Sequence, residues 1–252
     1  YGRCKVDQQD KLAHPLLLAA ATGRLPLVQI LLEQEVDPNT TDEDDETALH
    51  IAALYGHESI VWMLLEKKAR PVTKNKDGET ALHIAAKHGH GDIVLPLVEH
   101  QAEPNTVVGD GSGRTALHIA AQLGHGDIVV TLLENQAEVD AKTAADQTAL
   151  FLAVGKGQRD AVLALLQGKA DPNATNKNHK IKFDKQESSW NLLAFEKNTR
   201  EIAPASGEKE ADPRVERALN IAISKDREDI VSLLLQYRAE PNQPGMDKKM
   251  PP

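Results

Sequence analysis

Histidine is the residue type with the widest chemical range in this sequence, because imidazole ligates metals and exchanges its proton near neutral pH. Six of the ten histidines fall at two recurring positions of a repeated pattern. These are His50, His57, His83, His90, His118 and His125. A catalytic or metal-binding histidine is needed once, whereas a scaffold histidine recurs in every unit. We therefore predict that these six tie turns to helices through hydrogen bonds.

Two other short patterns resemble parts of chemical sites, and neither is complete. His88-Gly-His90 supplies half of a metal site, but no cysteine or acidic ligand set accompanies it at a zinc-like spacing. Gly109-Asp-Gly-Ser-Gly113 is rich in glycine, yet it lacks the lysine and the preceding strand of a phosphate-binding loop. We predict that the chain is not an enzyme and has no catalytic residue, cofactor or metal.

Composition and charge restrict the class of partner. The formal net charge is -9 and aromatic residues make up 3 %, which argues against the basic, stacking surface of a nucleic-acid-binding protein. The single cysteine, Cys4, excludes an internal disulfide framework. The sequence has no long apolar segment, so we expect no membrane insertion. We expect a cytoplasmic or nuclear protein. Because the chain begins at Tyr1 rather than methionine, we also expect a fragment of something longer.

The histidines belong to a unit that repeats along the chain. Thr47-Ala-Leu-His50 recurs from Thr80, from Thr115 and, with phenylalanine in place of histidine, from Thr148, at steps of 33, 35 and 33 residues. A period of this size indicates a repeat array. Nine residues after each threonine stands a glycine, followed by apolar residues at helical spacing. Each unit is therefore predicted to be two short helices and a turn, closed by segments such as Ala102-Glu-Pro-Asn105.

This set of motifs resembles the ankyrin repeat, whose pattern is T-P-L-H-x-A-A, then G-H, then I-V-x-x-L-L. The resemblance implies an all-α solenoid of helix-turn-helix units joined by hairpin-like turns. Alanine replaces the usual proline in the matched motifs. The usual glycine after the second helix becomes Glu35, Lys68, Gln101 and Gln136. A left-handed residue at those positions costs about 1 kcal/mol more than glycine.

We predict a single domain over residues 1–252. Its units are repeat 1, the N-terminal cap with His14 at the threonine position, at 9–41, repeats 2 to 5 at 42–74, 75–109, 110–142 and 143–175, a terminal repeat at 212–244 and a tail at 245–252. The stretch 176–211 has the length of one unit. It is either a degenerate repeat whose first helix includes Ser189–Ala194 or an inserted loop. Pro96 is expected to interrupt the second helix of its repeat, removing one backbone hydrogen bond and kinking the helix unless the helix starts late.

The resemblance also implies a contact surface made of the turns, here called fingers, and the exposed ends of the first helices. By register the finger residues are Glu43, Asp44 and Glu46, then Lys76, Asp77 and Glu79, then Ser112 and Arg114, then Ala144, Ala145 and Gln147. The helix-end residues are Leu54 and Tyr55, then Lys87 and His88, then Gln122 and Leu123, then Gly155 and Lys156. We call these two sets the finger–helix surface. Acids near repeat 2 predict a partner protein or peptide with basic and apolar anchor residues, bound by a chain that is monomeric by itself.

Several alternatives remain open in the sequence. The acidic run 42–46 is either a solvated finger tip or a docking patch. Trp62, where the family usually has an exposed polar residue, is either an anchor on the opposite, convex side or a residue packed on the adjacent helix. The whole array is a binding scaffold, a regulatory or substrate-recruiting segment of a larger enzyme or channel, or a spacer.

Overall fold

The computed structural model describes residues 9–176 and 216–237, with side chains described within 15–174 and 218–237. This part of the chain contains twelve α-helices and two strands of two residues each. The helices are α1 Gln9–Ala21, α2 Leu25–Glu33, α3 Ala48–Tyr55, α4 Glu58–Glu66, α5 Ala81–His88, α6 Gly91–Glu99, α7 Ala116–Leu123, α8 Gly126–Glu134, α9 Ala149–Lys156, α10 Arg159–Gln167, α11 Ala218–Ser224 and α12 Glu228–Gln236. The strands are β1 Thr175–Asn176 and β2 Glu216–Arg217.

The helices form six antiparallel pairs stacked side by side. Each odd-numbered helix packs on the next odd-numbered helix, and each even-numbered helix packs on the next even-numbered one. The first helices approach closely because alanine pairs such as Ala85 and Ala86 are fully buried between them. Leucine and isoleucine of the second helices, including Ile93 and Leu97, fill the remaining space. The predicted all-α solenoid is confirmed.

The recurring histidine of the first helix joins two neighbouring repeats. In repeat 3, His83 Nε2 lies 3.0 Å from the carbonyl oxygen of Thr106, which can only accept, so Nε2 carries the proton. His83 Nδ1 then accepts from the backbone N–H of Thr80 at 3.2 Å, where the helix begins. His50 and His118 make the equivalent bonds to the carbonyl oxygens of Thr73 and Ala141. The hydrogen-bonding role predicted for these histidines is therefore observed.

The second recurring histidine lies against the preceding repeat. Gly56 and Gly89 end their helices with φ values of 78° and 76°, and a Cβ on either would meet the ring of His90 or His125 within 3 Å. His90 Nε2 also lies 3.1 Å from the carbonyl oxygen of Leu54. These glycines are therefore required both for the left-handed backbone and for the space that the next repeat's ring occupies.

The position after the second helix is left-handed although no glycine occupies it. Glu35, Lys68, Gln101 and Gln136 have φ values between 62° and 71°. Helix α6 runs from Gly91 to Glu99 through Pro96, and α4 and α8 are equally long. The expectation that Pro96 interrupts this helix is therefore wrong.

The two ends of the stack depart from the regular unit. Helix α1 has 13 residues and begins at Gln9, so the helix starts before His14 rather than at it, and the threonine position of repeat 1 is not a helix cap. At the other end, α11 packs on α9, Lys225 Nζ donates to the carbonyl oxygen of Gly155 at 2.6 Å, and β1 pairs antiparallel with β2. The described terminal repeat thus stacks directly on repeat 5. The predicted helix at Ser189–Ala194 and the tail at 245–252 lie outside the described residues.

The buried imidazoles predict a pH dependence of stability. Burial lowers the pKa of His50 and His118 and lowers that of His83 from 6.5 to about 4. Between these two pH values the unfolded chain binds protons that the folded chain does not, so the free energy of unfolding should decrease as pH falls. His83→Phe, which copies Phe151 of repeat 5, should be less stable at pH 7 by about 1–2 kcal/mol. Its pH dependence, measured by urea unfolding, should also be shallower than that of the wild type. Equal slopes would contradict the assignment.

A second prediction concerns the helix-ending glycines. Gly89→Ala should lower the free energy of unfolding by more than about 1 kcal/mol, because φ is positive and its Cβ would lie 2.7 Å from the His125 ring. Gly155→Ala is the matched control, since no atom lies within 4 Å of its Cβ and its φ is not positive. The control should be neutral or stabilising when both variants are unfolded in guanidinium. Equal losses in both variants would refute the packing role.

Candidate binding surface

The fingers are held in place by their own hydrogen bonds and by one another. In the finger of repeat 2, Asp42 Oδ1 accepts from the backbone N–H groups of Asp44 and Glu46, both at 2.9 Å. Neighbouring fingers are joined through backbone bonds at 2.8 to 3.0 Å. These run from Lys76 N to Asp44 O, from Gly109 N to Gly78 O, and from Ala144 N to Ser112 O. The finger side chains therefore project from an ordered edge.

The acidic run of repeat 2 divides into exposed and engaged carboxylates. Glu43, Asp44 and Asp45 are exposed, and the side chains of Glu43 and Asp45 have no partner among the described residues. Asp44 lies 3.8 Å from Lys76 Nζ, but both side chains are more than half exposed, so this ion pair is weak. Three carboxylates thus remain accessible to a partner.

Glu46 and Glu79 were predicted to contact a partner, and in this structure they make contacts within the chain. Glu46 Oε1 accepts from Asn75 Nδ2 at 2.8 Å, while Glu46 Oε2 is buried without a hydrogen bond, 3.7 Å from His50 Nδ1. Burial raises the pKa of Glu46. The Glu79 side chain is 13 % exposed and forms an ion pair with Lys87 at 3.1 Å. That pair shows that a finger and the end of a first helix are adjacent.

The finger of repeat 4 is closed by an ion pair between Arg114 and Asp110, of which only Arg114 was predicted as a site residue. Arg114 donates to Asp110 Oδ2 at 3.1 Å, and Ser112 N donates to Asp110 Oδ1 at 2.8 Å. Hydrogen bonds from Ser112 and Arg114 lower the pKa of Asp110 to about 2. Arg114 was predicted as a site residue, and its guanidinium is already neutralised by Asp110, four residues before it. The i, i+4 spacing of opposite charges was the available sequence indication.

The helix ends present apolar groups to solvent. Leu54 is 37 % exposed, Tyr55 56 % and Leu123 45 %. Lys87 and His88 are also exposed, whereas Gln122 is half-buried and its carbonyl oxygen accepts from Gln158. Tyr55 stacks on His57, with ring centroids 6.2 Å apart. The next repeat donates hydrogen bonds to the backbone at these helix ends, as His90 does to Leu54 and Gln158 to Gln122, so the exposed apolar side chains have fixed positions.

Repeat 5 provides a different chemistry at the same positions. Ala144, Ala145 and Lys156 are exposed, while Gln147 and Gly155 are half-buried. The surface thus changes from acids and apolar groups at repeat 2, through internally paired charges at repeats 3 and 4, to alanine and lysine at repeat 5. The described residues contain no cluster of three or more potential metal ligands, and none of their helices combines the length and apolarity needed to cross a bilayer.

Trp62 lies on the second helix of repeat 2 and makes a packing contact. Its ring is half-buried and meets the His100 ring edge to face, with centroids 5.4 Å apart and an interplanar angle of 81°. His100 follows α6 and its Nδ1 lies 2.9 Å from the carbonyl oxygen of Pro96. Of the two alternatives for Trp62, an anchor on the convex side or packing on the adjacent helix, the structure therefore shows the packing.

Stacked helix pairs with a ladder of fingers along one edge define a repeat solenoid. The family model described as ankyrin repeats (3 copies) matches residues 16–108 and 106–176, more than half of the chain. The chain belongs to the ankyrin repeat family. Members of this family generally act as protein–protein interaction modules and are typically non-catalytic. A comparison with curated proteins found no match.

The half-buried carboxylate of Glu46 yields a prediction about stability. Glu46→Gln should keep the bond from Asn75 and remove the cost of burying an ionised oxygen that has no hydrogen bond. The variant should be as stable as the wild type or more stable at pH 7 in urea unfolding. Glu79→Gln is the control, because it loses the Lys87 ion pair and should gain nothing. A clear loss of stability in Glu46→Gln would contradict this account.

Proposed function

We propose that this chain is a non-enzymatic scaffold that binds a partner protein or peptide across the finger–helix surface. The observation that carries the proposal is the combination, in repeat 2, of exposed Leu54 and Tyr55 with the exposed carboxylates of Glu43, Asp44 and Asp45. Apolar groups supply burial and charges supply orientation, which is the usual division of roles in an interface.

The partner is expected to carry lysine or arginine at the end that meets repeats 2 and 3. Asp77 adds a further exposed carboxylate there, and Lys76 offsets part of the charge through Asp44. An apolar or aromatic side chain of the partner would lie on Leu54, Tyr55 and Leu123. At repeat 5 the alanines and Lys156 favour a neutral or acidic end. These differences along the stack give the partner one preferred direction.

The test uses a peptide selected from a random display library on the immobilised chain. Its affinity is measured by fluorescence anisotropy at several salt concentrations. Glu43→Lys with Asp44→Lys should weaken binding about tenfold at low salt and flatten its salt dependence, since two attractive charges become repulsive. Leu54→Ser with Tyr55→Ser should weaken binding at all salt concentrations.

The control is Glu103→Lys with Glu138→Lys, which makes the same change of charge in the exposed arms that close repeats 3 and 4. This control should keep most of the affinity. If the finger variant and the control lose affinity equally, only the net charge matters and the proposed site is wrong. Selected peptides without an excess of lysine and arginine would contradict the proposed partner.

A further inference from the structure

The exposed side of the second helices carries an apolar row that the finger–helix surface does not use. One helical position holds Trp62 in α4, Leu95 in α6, Val130 in α8 and Leu163 in α10, and we call these four residues the outer stripe. Leu95 is 44 % exposed and Val130 39 %, and the other two are half-buried. The first and last described repeats place Gln29 and Ser232 at this position, so the stripe is limited to repeats 2 to 5.

Trp62 packs on His100 and Leu163 packs against the core, but folding does not account for the two exposed members of the row, Leu95 and Val130. In α6 the core contacts are made by Ile93, Val94 and Leu97, all at most 1 % exposed, and Leu95 points away from them. Gln29 and Ser232 show that a polar side chain is compatible with the same place in the stack. Exposed apolar residues that recur at one position of neighbouring helices indicate a contact with another molecule.

Carboxylates border the outer stripe on both sides. Residues three positions before or four positions after a stripe residue share its helix face. At these places stand Asp92, Asp127 and Asp160 on one side and Glu66, Glu99 and Glu134 on the other, and all six are exposed. Helices α4, α6 and α8 contain no lysine or arginine. Among the residues that the structure describes, one ion pair involves these carboxylates, Arg159 with Asp160, and it is 3.9 Å long and largely exposed.

A groove of about 460 Å³ opens between α8 and α10 at this face. Val130, Leu163 and Ala164 contribute its apolar lining, and Asp127 and Asp160 contribute its carboxylates. The groove thus has an apolar floor with carboxylates along one border, and Gln167 lines the other border. An apolar side chain with a cationic neighbour fits it.

We propose that the outer stripe is a second docking surface, which takes an amphipathic helical peptide segment with apolar residues on one face and lysine or arginine beside them. Adjacent packed helices lie roughly 8–10 Å apart, so four stripe positions extend over about 30 Å. A helix of about 20 residues has this length. Its apolar face covers the stripe, and its cationic borders meet the two rows of carboxylates. The surface is separate from the fingers, so two partners have room to bind at once.

The test uses a defined probe, a helical peptide of about 18 leucine and lysine residues with the leucines on one face. The matched probe has the same composition in scrambled order. Trp62 and Trp190 are the two tryptophans of the chain, so Trp190→Phe makes Trp62 the only reporter. In that background the ordered peptide should shift Trp62 emission to shorter wavelength, and the scrambled peptide should not. Equal responses to both peptides would overturn the proposal.

Two sets of variants locate the contact. Leu95→Gln with Val130→Ser leaves the charge unchanged and places at both sites residue types that the chain itself has in its end repeats. It should weaken binding of the ordered peptide about tenfold, because two apolar contacts are lost. Glu99→Gln with Glu134→Gln should weaken binding and reduce its salt dependence. Unchanged affinity in the Leu95 and Val130 variant would overturn the proposal.

The remaining outcomes separate this surface from the first one and from self-association. Glu43→Lys with Asp44→Lys should leave the ordered peptide's effect on Trp62 intact, and its loss would assign that peptide to the finger–helix surface instead. In analytical ultracentrifugation the wild type and the variant Leu95→Gln with Val130→Ser should show the same association state. A dimer that the variant dissolves would show that a second copy of the chain covers the stripe and would overturn the proposal.

Discussion

In repeats 2, 3 and 4 one buried imidazole bonds to the backbone that begins its own helix and to the carbonyl oxygen of a residue 23 positions later. The ring must be neutral to make both bonds, because one nitrogen accepts and the other donates. Helix capping and the link to the next turn are therefore one interaction. Repeat 5 lacks this interaction, because Phe151 has no ring nitrogen. In the terminal repeat the Oδ1 atom of Asn220 is buried without a hydrogen bond among the described residues. There the two repeats are joined by Lys225 and Arg227, which donate to the carbonyl oxygens of Gly155 and Gly157.

The sequence predicted the parts of this structure that depend on a period and could not predict those that depend on pairs of side chains. Recurring threonine, histidine and glycine located the helices of repeats 2 to 5. The burial of Glu46 depends on Asn75, 29 residues away, and the position of Trp62 depends on His100 in the next repeat. Such contacts follow from how far one repeat is rotated on another, which a one-dimensional pattern does not contain. The early start of α1 was missed because helix-forming residues before Pro15 extend it past the position where threonine caps the other repeats.

Because each repeat contacts its neighbours only, its outer residues vary without consequence for distant repeats. The two candidate surfaces illustrate this independence. The finger–helix surface changes its charge from repeat to repeat, as in the series Glu43, Lys76 and Ala144. The outer stripe keeps its apolar character over four repeats and its carboxylates over three or more. A surface whose charge changes along the stack favours one position for its partner. A surface of constant character can instead contact an extended segment along its whole length.

The antiparallel pairing of β1 with β2 brings the chain back to the place where it left the stack. Thr175 lies opposite Arg217, so the distance between these two points is set by the pair and not by what the chain does between them. The entropic cost of closing such an excursion rises only by about 0.6 kcal/mol for each doubling of its length. Natural or engineered insertions of very different length between β1 and β2 should therefore cost little in stability and leave the helices on either side in place.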